Sequence, residues 1–363
     1  MKKIFIFVLM VLVFGGVKVS GVKAEEVRDE RLEGTVEEVL LEQRKSVDGS
    51  SWYYQEMSFR VDRGSLEGDT IEIKNGEMGT TRTERYEKGD KLVVGYSETV
   101  EGETYFYIID YVRRPMLGWL LLAFVVVTVV IVKKWAVTSF LGMAFSFLVI
   151  FRVILPAIIE GQDPVWAAIG GAVLIIPASF YLSHGFNRKT NAAIFGTIVS
   201  LMVIGWLSKW LIEMGNFTGL ASEEAGFLLI ESGGGVDMKG ILLAGIIIAA
   251  LGVLDDVTVS QAAIVTELKE TDKSLKVREL YKKAMRVGHD HITSMINTLV
   301  LVYAGAAMPL LLLFVSGGLS FSEVINYEMV AEEVIRTLVG SIGLVLAVPI
   351  TTIIAAVMVK KKK

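Results

Sequence analysis

Hydrophobic and polar residues follow three different patterns along this chain of 363 residues. The first is short. Lys2 and Lys3 lead into the apolar run Ile4 to Phe14, and Val22-Lys23-Ala24 precedes Glu25, the n-region, h-region and small-residue site of a signal peptide over residues 1–24. Cleavage is expected after Ala24; an uncleaved first helix is the alternative, although the run is short for a span. Either reading leaves residue 25 outside. From 25 to about 114 the pattern alternates, as in Thr70-Ile-Glu-Ile-Lys74, Lys91-Leu-Val-Val94 and Thr104-Tyr-Phe-Tyr-Ile-Ile-Asp110. Asn75-Gly76, Gly89-Asp90 and Glu101-Gly102 sit between such runs where tight turns belong. This predicts an extracytoplasmic all-β domain over 25–114, of about five or six strands, as an OB-like barrel or a sandwich.

From Met116 the pattern becomes one of apolar runs of spanning length, at about 116–132, 136–155, 164–182, 190–208, 238–254, 292–316 and 335–358. They predict an α-helical polytopic membrane bundle of about seven transmembrane helices over 115–363. All six prolines lie in this half, with Pro177, Pro309 and Pro349 inside expected spans, where each frees a carbonyl and permits a kink. The stretch 257–290 reads as a cytoplasmic loop with helical order of its own. Val257, Ile264, Val265 and Leu268 fall at helical spacing, Thr271-Asp272 interrupts, and a basic amphipathic helix runs from Ser274 to about Val287.

Composition supports a membrane setting: 53% of residues are hydrophobic, 21% are charged, and mean hydropathy is +0.55. The lipid bilayer is therefore the first partner expected, with a homo-oligomer or a partner membrane protein left open. A net charge of -4 gives no basic field, so nucleic acid is not an expected partner. The basic residues instead cluster in alternate loops: Lys133 and Lys134, Arg188 and Lys189, Lys269 to Arg286, and Lys360 to Lys363. The other loops are acidic, as with Glu160, Asp163, Glu223, Glu224, Glu231 and Glu323, so the basic side and the C-terminus are expected in the cytoplasm. Lys209 and the border residues Lys239 and Arg336 go against this trend, and Arg113-Arg114 is its one clear violation.

The absence of cysteine excludes disulfides, thiolate metal sites and thiol nucleophiles. No HExxH, GxSxG or GxxxxGK[ST] motif occurs either, so neither an enzyme nor a cofactor is expected. The chemistry that remains gathers at the inner ends of helices. Ser183-His184 leads to Arg188-Lys189 after the third run, Leu254-Asp255-Asp256 ends the fifth, and Gly288-His289-Asp290-His291 enters the sixth, which carries Asn297. Carboxylates and imidazoles beside a membrane interior can carry protons, which makes Asp255, Asp256, His184, His289, Asp290, His291 and Asn297 relay candidates. A plainer reading has the two aspartates closing a helix among the headgroups. A metal set of His184, His289 and His291 is a weaker alternative, because residues two apart do not share a helix face. In the β domain, Trp52, Tyr53, Tyr54, Tyr105 and Tyr107 could form a stacking face, or simply sheet core and cross-strand pairs.

The stretches GVLDDVTVSQAAIVTEL (252–268) and VGHDHITSMINTLVLVYAGAAMPLLLL (287–313) resemble the signature of the YibE/F family of bacterial multi-span membrane proteins. Asp110 to Arg114 and His184 to Asn191 resemble further parts of it. The resemblance runs from about residue 30 to the C-terminus and implies a multi-pass protein of the bacterial cytoplasmic membrane. More loosely, residues 239–358 are similar to the membrane half of SecF and related resistance-nodulation-division proteins, which are proton-driven. This chain departs from them in having only one such half. The expected function is a transporter or permease, proton-coupled on that likeness; the alternative is an accessory protein whose β domain binds a partner or an envelope component.

Overall fold

Period-two alternation builds five strands: β1 (Glu30–Val47), β2 (Ser50–Arg63), β3 (Thr70–Asn75), β4 (Lys91–Glu98) and β5 (Thr104–Tyr111). They are seen in a computed structural model of the chain, which describes residues 30–47, 50–76, 84–98 and 104–360. The expected signal peptide and the Glu101-Gly102 turn lie outside those residues. All neighbouring strands are antiparallel, in the order β3-β2-β1-β4-β5, and the two end strands approach within 8 Å between Cα atoms. That is the cyclic order of a small OB-like barrel, left partly open between β3 and β5. Register shifts between Val36 and Glu38 and between Val39 and Leu41 mark irregularities of the kind that bend a strand. Leu32, Val36, Met57, Phe59, Ile73, Leu92 and Val94 alternate inward and are fully buried. Buried Gln55 accepts the N–H of Tyr86 (2.9 Å) and donates to its carbonyl (2.9 Å), so one amide side chain ties a non-strand segment to the sheet.

The five candidate aromatics do not form one face. Trp52, Tyr53 and Tyr54 lie on β2, while Tyr105 and Tyr107 lie on β5, with β1 and β4 between them in the sheet. Trp52 donates to the Gly76 carbonyl (3.0 Å), the Lys45 ammonium sits 4.1 Å over the Tyr54 ring, and Tyr105 stacks on Tyr107.

The chain divides into two compact units, the first holding the sheet and the second the helices from Val132 onward. A helix α1 (Arg114–Val132) follows the sheet, with Arg114 paired to Glu33, and none of its residues is buried. Among the described residues of the second unit are α2 (Lys134–Ile159), α3 (Pro164–His184), α4 (Arg188–Met214), α5 (Glu223–Glu231), α6 (Met238–Thr271), α7 (Val277–Ala306), α8 (Met308–Ser316), α9 (Phe321–Val324) and α10 (Glu328–Lys360). Local chemistry sets several ends. The Asp163 carboxylate caps α3 by accepting the N–H groups of Val165 (2.8 Å) and Trp166 (3.1 Å), with Pro164 at the first helical position. Asn187 caps α4 through Thr190.

Six helices, α1, α2, α3, α4, α6 and α10, are long and apolar enough to cross a membrane. The pair α7–α8, bent by 64° at Ala307, makes a seventh if it counts as one span. The expected bundle of about seven helices thus stands at six to seven among the described residues, with two boundary corrections. The fifth helix does not end at Asp255-Asp256: α6 runs 34 residues to Thr271, because Val257, Ala262 and Val265 keep the buried helical stripe going after hydropathy falls. The basic helix and the sixth span are not two elements either. Helix α7 begins at Val277 and runs unbroken through Gly288 to Ala306, since nothing between them stops a helix. At the centre of the unit α4, α6 and α10 pack on one another.

Candidate functional site

Three helices each turn one stripe of small and polar residues toward a cleft of about 500 Å³. From α2 come Ser139, Met143, Ser146, Phe147 and Ile150, spaced at i, i+4, i+7/8 and i+11. Helix α3 adds Ser179, Ser183 and its terminal residue His184. Helix α6 supplies Gly252, Asp255, Asp256, Val259 and Ser260. Close approach is possible because position 142 is glycine: a Cβ there would stand 3.2 Å from the Ser183 hydroxyl and 3.5 Å from the Ser179 Cα. The cleft lies where α3 stops, at Gly185, which has φ of 75° and so suits a residue without a side chain.

The charge is one-sided. Two carboxylates, one imidazole and five serine hydroxyls line the cleft, and no lysine or arginine does. Asp255 is half-buried, Asp256 is exposed, and neither carboxylate is engaged in a hydrogen bond or ion pair among the described residues. Such a surface offers two anionic acceptors, an imidazole able to give or take a proton, and hydroxyls able to do both.

Of the seven residues singled out from sequence, the structure brings together His184, Asp255 and Asp256. His289, Asp290, His291 and Asn297 lie on α7 and do not line the cleft. His289 and Asp290 are exposed, and the Nε2 of His291 is buried without a hydrogen-bond partner. Because α7 is continuous, His289 and His291 leave it on different faces. Among the described residues no group of three or more His, Asp or Glu side chains is arranged to hold a metal ion, so His184, His289 and His291 do not form the metal set weighed above. Part of the polar stretch 184–191 is structural: Asn187 caps α4, and Tyr181 donates to Asn191 (3.0 Å).

A second polar feature escaped the sequence reading. Thr197, Ser200, Thr258, Gln261, Thr351 and Thr352 are fully buried where α4, α6 and α10 meet. The hydroxyls of Thr197 and Thr258 are 2.7 Å apart, and Gln261 donates to Thr352 (2.7 Å) and to the Ala284 carbonyl (3.3 Å). Helix α10 comes so close that a Cβ at Gly196 would lie 2.2 Å from the Thr351 hydroxyl. A helical-period search could have found the seam, since Thr258 and Gln261 occupy positions i and i+3 on one helix face.

Compared with known proteins, residues 120–361 match the sequence model of a family described as YibE/F-like protein. The match covers the helical part of the chain and not the β sheet. Neither curated proteins nor solved structures give a match.

Proposed function

The chain belongs to the YibE/F-like family of proteins, a membrane protein by its apolar helices, and on that premise we propose that it is a permease of the bacterial cytoplasmic membrane in which the serine-lined cleft admits protons or small cations. The observation that carries this reading is the cleft's lining: two carboxylates without partners, a histidine and five serines, with no basic side chain. A charged residue at the centre of a spanning helix costs about 2.5–3.5 kcal/mol, so carboxylates near a membrane interior are retained where they meet water, a partner or an ion.

The orientation follows from charge. With each long helix crossing once, the helix ends near 133, 188 and 272, which carry Lys133, Lys134, Arg188, Lys189, Lys269 and Lys273, fall on one side and Glu160, Asp163, Glu223, Glu224 and Glu323 on the other, where Lys209, Lys239 and Arg336 are the exceptions. The positive-inside rule makes the lysine side cytoplasmic, so the cleft opens to the cytoplasm and the β domain lies outside.

One observation favours a second reading, an accessory protein. Beyond the residues that pair with β3 and β4, β1 and β2 continue as an arm paired only with each other, bringing Arg44 and Lys45 beside Tyr53 and Trp52. A basic and aromatic arm suits a partner or an envelope polymer.

The cysteine-free chain allows a direct test. Proton entry into liposomes is measured for Ser183→Cys, with an impermeant thiol reagent applied to one face at a time. Block from the lysine-rich face alone supports the permease; flux that persists once the introduced thiol is fully modified sinks it. Removing residues 25–114 separates the readings, since a permease keeps its flux and an accessory protein loses its activity.

A further inference from the structure

Toward the opposite end of α3 and α6 lies a second cavity of about 600 Å³, walled by these two helices and α4. That size falls within the usual range of small-molecule sites. Its walls are apolar, formed by Ile169, Ile176, Leu201, Leu243 and Ile247 among others. Charge is confined to the mouth, and most of it is already engaged. The Asp163 carboxylate caps α3, and Lys209 lies 3.9 Å from Glu213. Two mouth groups are left. The Asp237 carboxylate does not cap its own helix, and neither it nor the Lys239 ammonium, two residues on, has a hydrogen-bond or ion-pair partner among the described residues. Trp166 and Trp206 line the same cavity and are 72% and 70% exposed, as tryptophans of an interfacial belt are.

These features select one kind of occupant. A fully polar solute would lose its hydration against walls that return no hydrogen bonds, which is costly. A plain hydrocarbon would gain nothing from the Asp237 and Lys239 charges at the mouth. A purely anionic amphiphile would meet Lys239 but bring its charge beside Asp237. We propose that the cavity is a specific site for one zwitterionic phospholipid of the phosphoethanolamine class, its acyl chain among the apolar walls, its phosphate at Lys239 and its ammonium at Asp237. Charge-assisted contacts of this kind are about twice as strong as neutral ones, which gives headgroup selectivity rather than general solvation by lipid. The site is separate from the serine-lined cleft and does not depend on what that cleft conducts.

The full chain, purified in mild detergent from liposomes of equal phosphatidylethanolamine and phosphatidylglycerol, is weighed by native mass spectrometry. One retained phosphatidylethanolamine per chain is expected, favoured about tenfold over phosphatidylglycerol, the ratio given by roughly 1.4 kcal/mol. Gly205→Trp should abolish retention, because a Cβ there would meet only Ile247 Cδ1 within 4 Å, at 3.8 Å, and an indole on that cavity-lining position would take the space of the acyl chain. Should that variant fold poorly, Lys239→Gln with Asp237→Asn, both at exposed positions, should erase the headgroup preference. No retained lipid, equal retention of the two lipids, or wild-type retention in a well-folded Gly205→Trp would each overturn the proposal. Asp255→Asn with Asp256→Asn should leave retention unchanged, so failure of the proton reading and failure of this site are told apart.

Discussion

Tyr86 shows what one side chain does in the sheet unit. Its ring packs 5.4 Å from that of Tyr111, its hydroxyl donates to Glu84 (3.2 Å), and burial, followed by the Glu84 charge, pushes its phenol well above the usual tyrosine range. A folded-state pKa above the unfolded value of about 10 means that this stability is whole below pH ~10 and is lost as pH rises further. Tyr86→Phe should therefore move alkaline unfolding of the sheet to higher pH, and tyrosinate absorbance should lose one late-titrating group. An unchanged titration would contradict the burial argument. At the same scale the candidate site was half legible. Asp255, Asp256 and His184 stand out in sequence because charge is rare in apolar runs. Ser139, Ser146, Ser179, Ser183 and Ser260 do not, because serine is common on any helix and only packing brings three stripes together.

At the level of elements, β3, β4 and β5 stand out from alternation and β2 alternates through Met57, Phe59 and Val61, whereas β1 does not keep its period. Glu37, Glu38, Glu42 and Arg44 break the apolar period on β1, and its register shifts interrupt it again. Helices were readable, but hydropathy marks where lipid ends and not where the helix does. That is why α6 and α7 both extend beyond their apolar windows. The turn between them is closed by polar contacts: Lys269 donates to the carbonyls of Lys273 (2.7 Å) and Leu275 (2.8 Å), and Ser274 donates twice to Asp272, which holds that carboxyl below its ordinary range. Gln261 joins α6 to α7 and α10 by two hydrogen bonds. Interhelical bonds in membrane proteins average about 0.6 kcal/mol, so Gln261→Leu, which removes two of them while the Ala284 carbonyl and the Thr352 hydroxyl keep partners within their own helices, should cost about 1 kcal/mol. Unfolding in detergent checks this, and a variant as stable as the parent would show the seam to be energetically idle.

For the whole molecule, two patterns in the sequence give two kinds of structure: alternation gives the sheet and apolar runs of spanning length give the helices, the first of which, α1, belongs with the sheet's unit. Charge is unevenly spread as well: Lys133, Lys134, Arg188, Lys189 and the lysines of 269–286 concentrate in alternate connections between the long helices, while Lys209 and Lys239 fall in the others. The two cavities divide likewise. A polar, anionic cleft lies at the lysine-rich end and an apolar cavity with a charged mouth at the acidic end, with α3 and α6 lining both. On α3 the change from Ile169 and Ile176 to Ser179 and Ser183 falls at Pro177, inside the helix. No window of composition could have shown this, because the alignment of the two cavities depends on how α3 and α6 cross.

The most direct test of the central claim is proton movement into liposomes containing the purified chain, followed by an internal pH dye under an imposed membrane potential. Asp255→Asn with Asp256→Asn is measured beside it, with folding of the variant verified. The account predicts a flux that this variant abolishes. A flux that the variant leaves intact, or no flux from either protein, would contradict it.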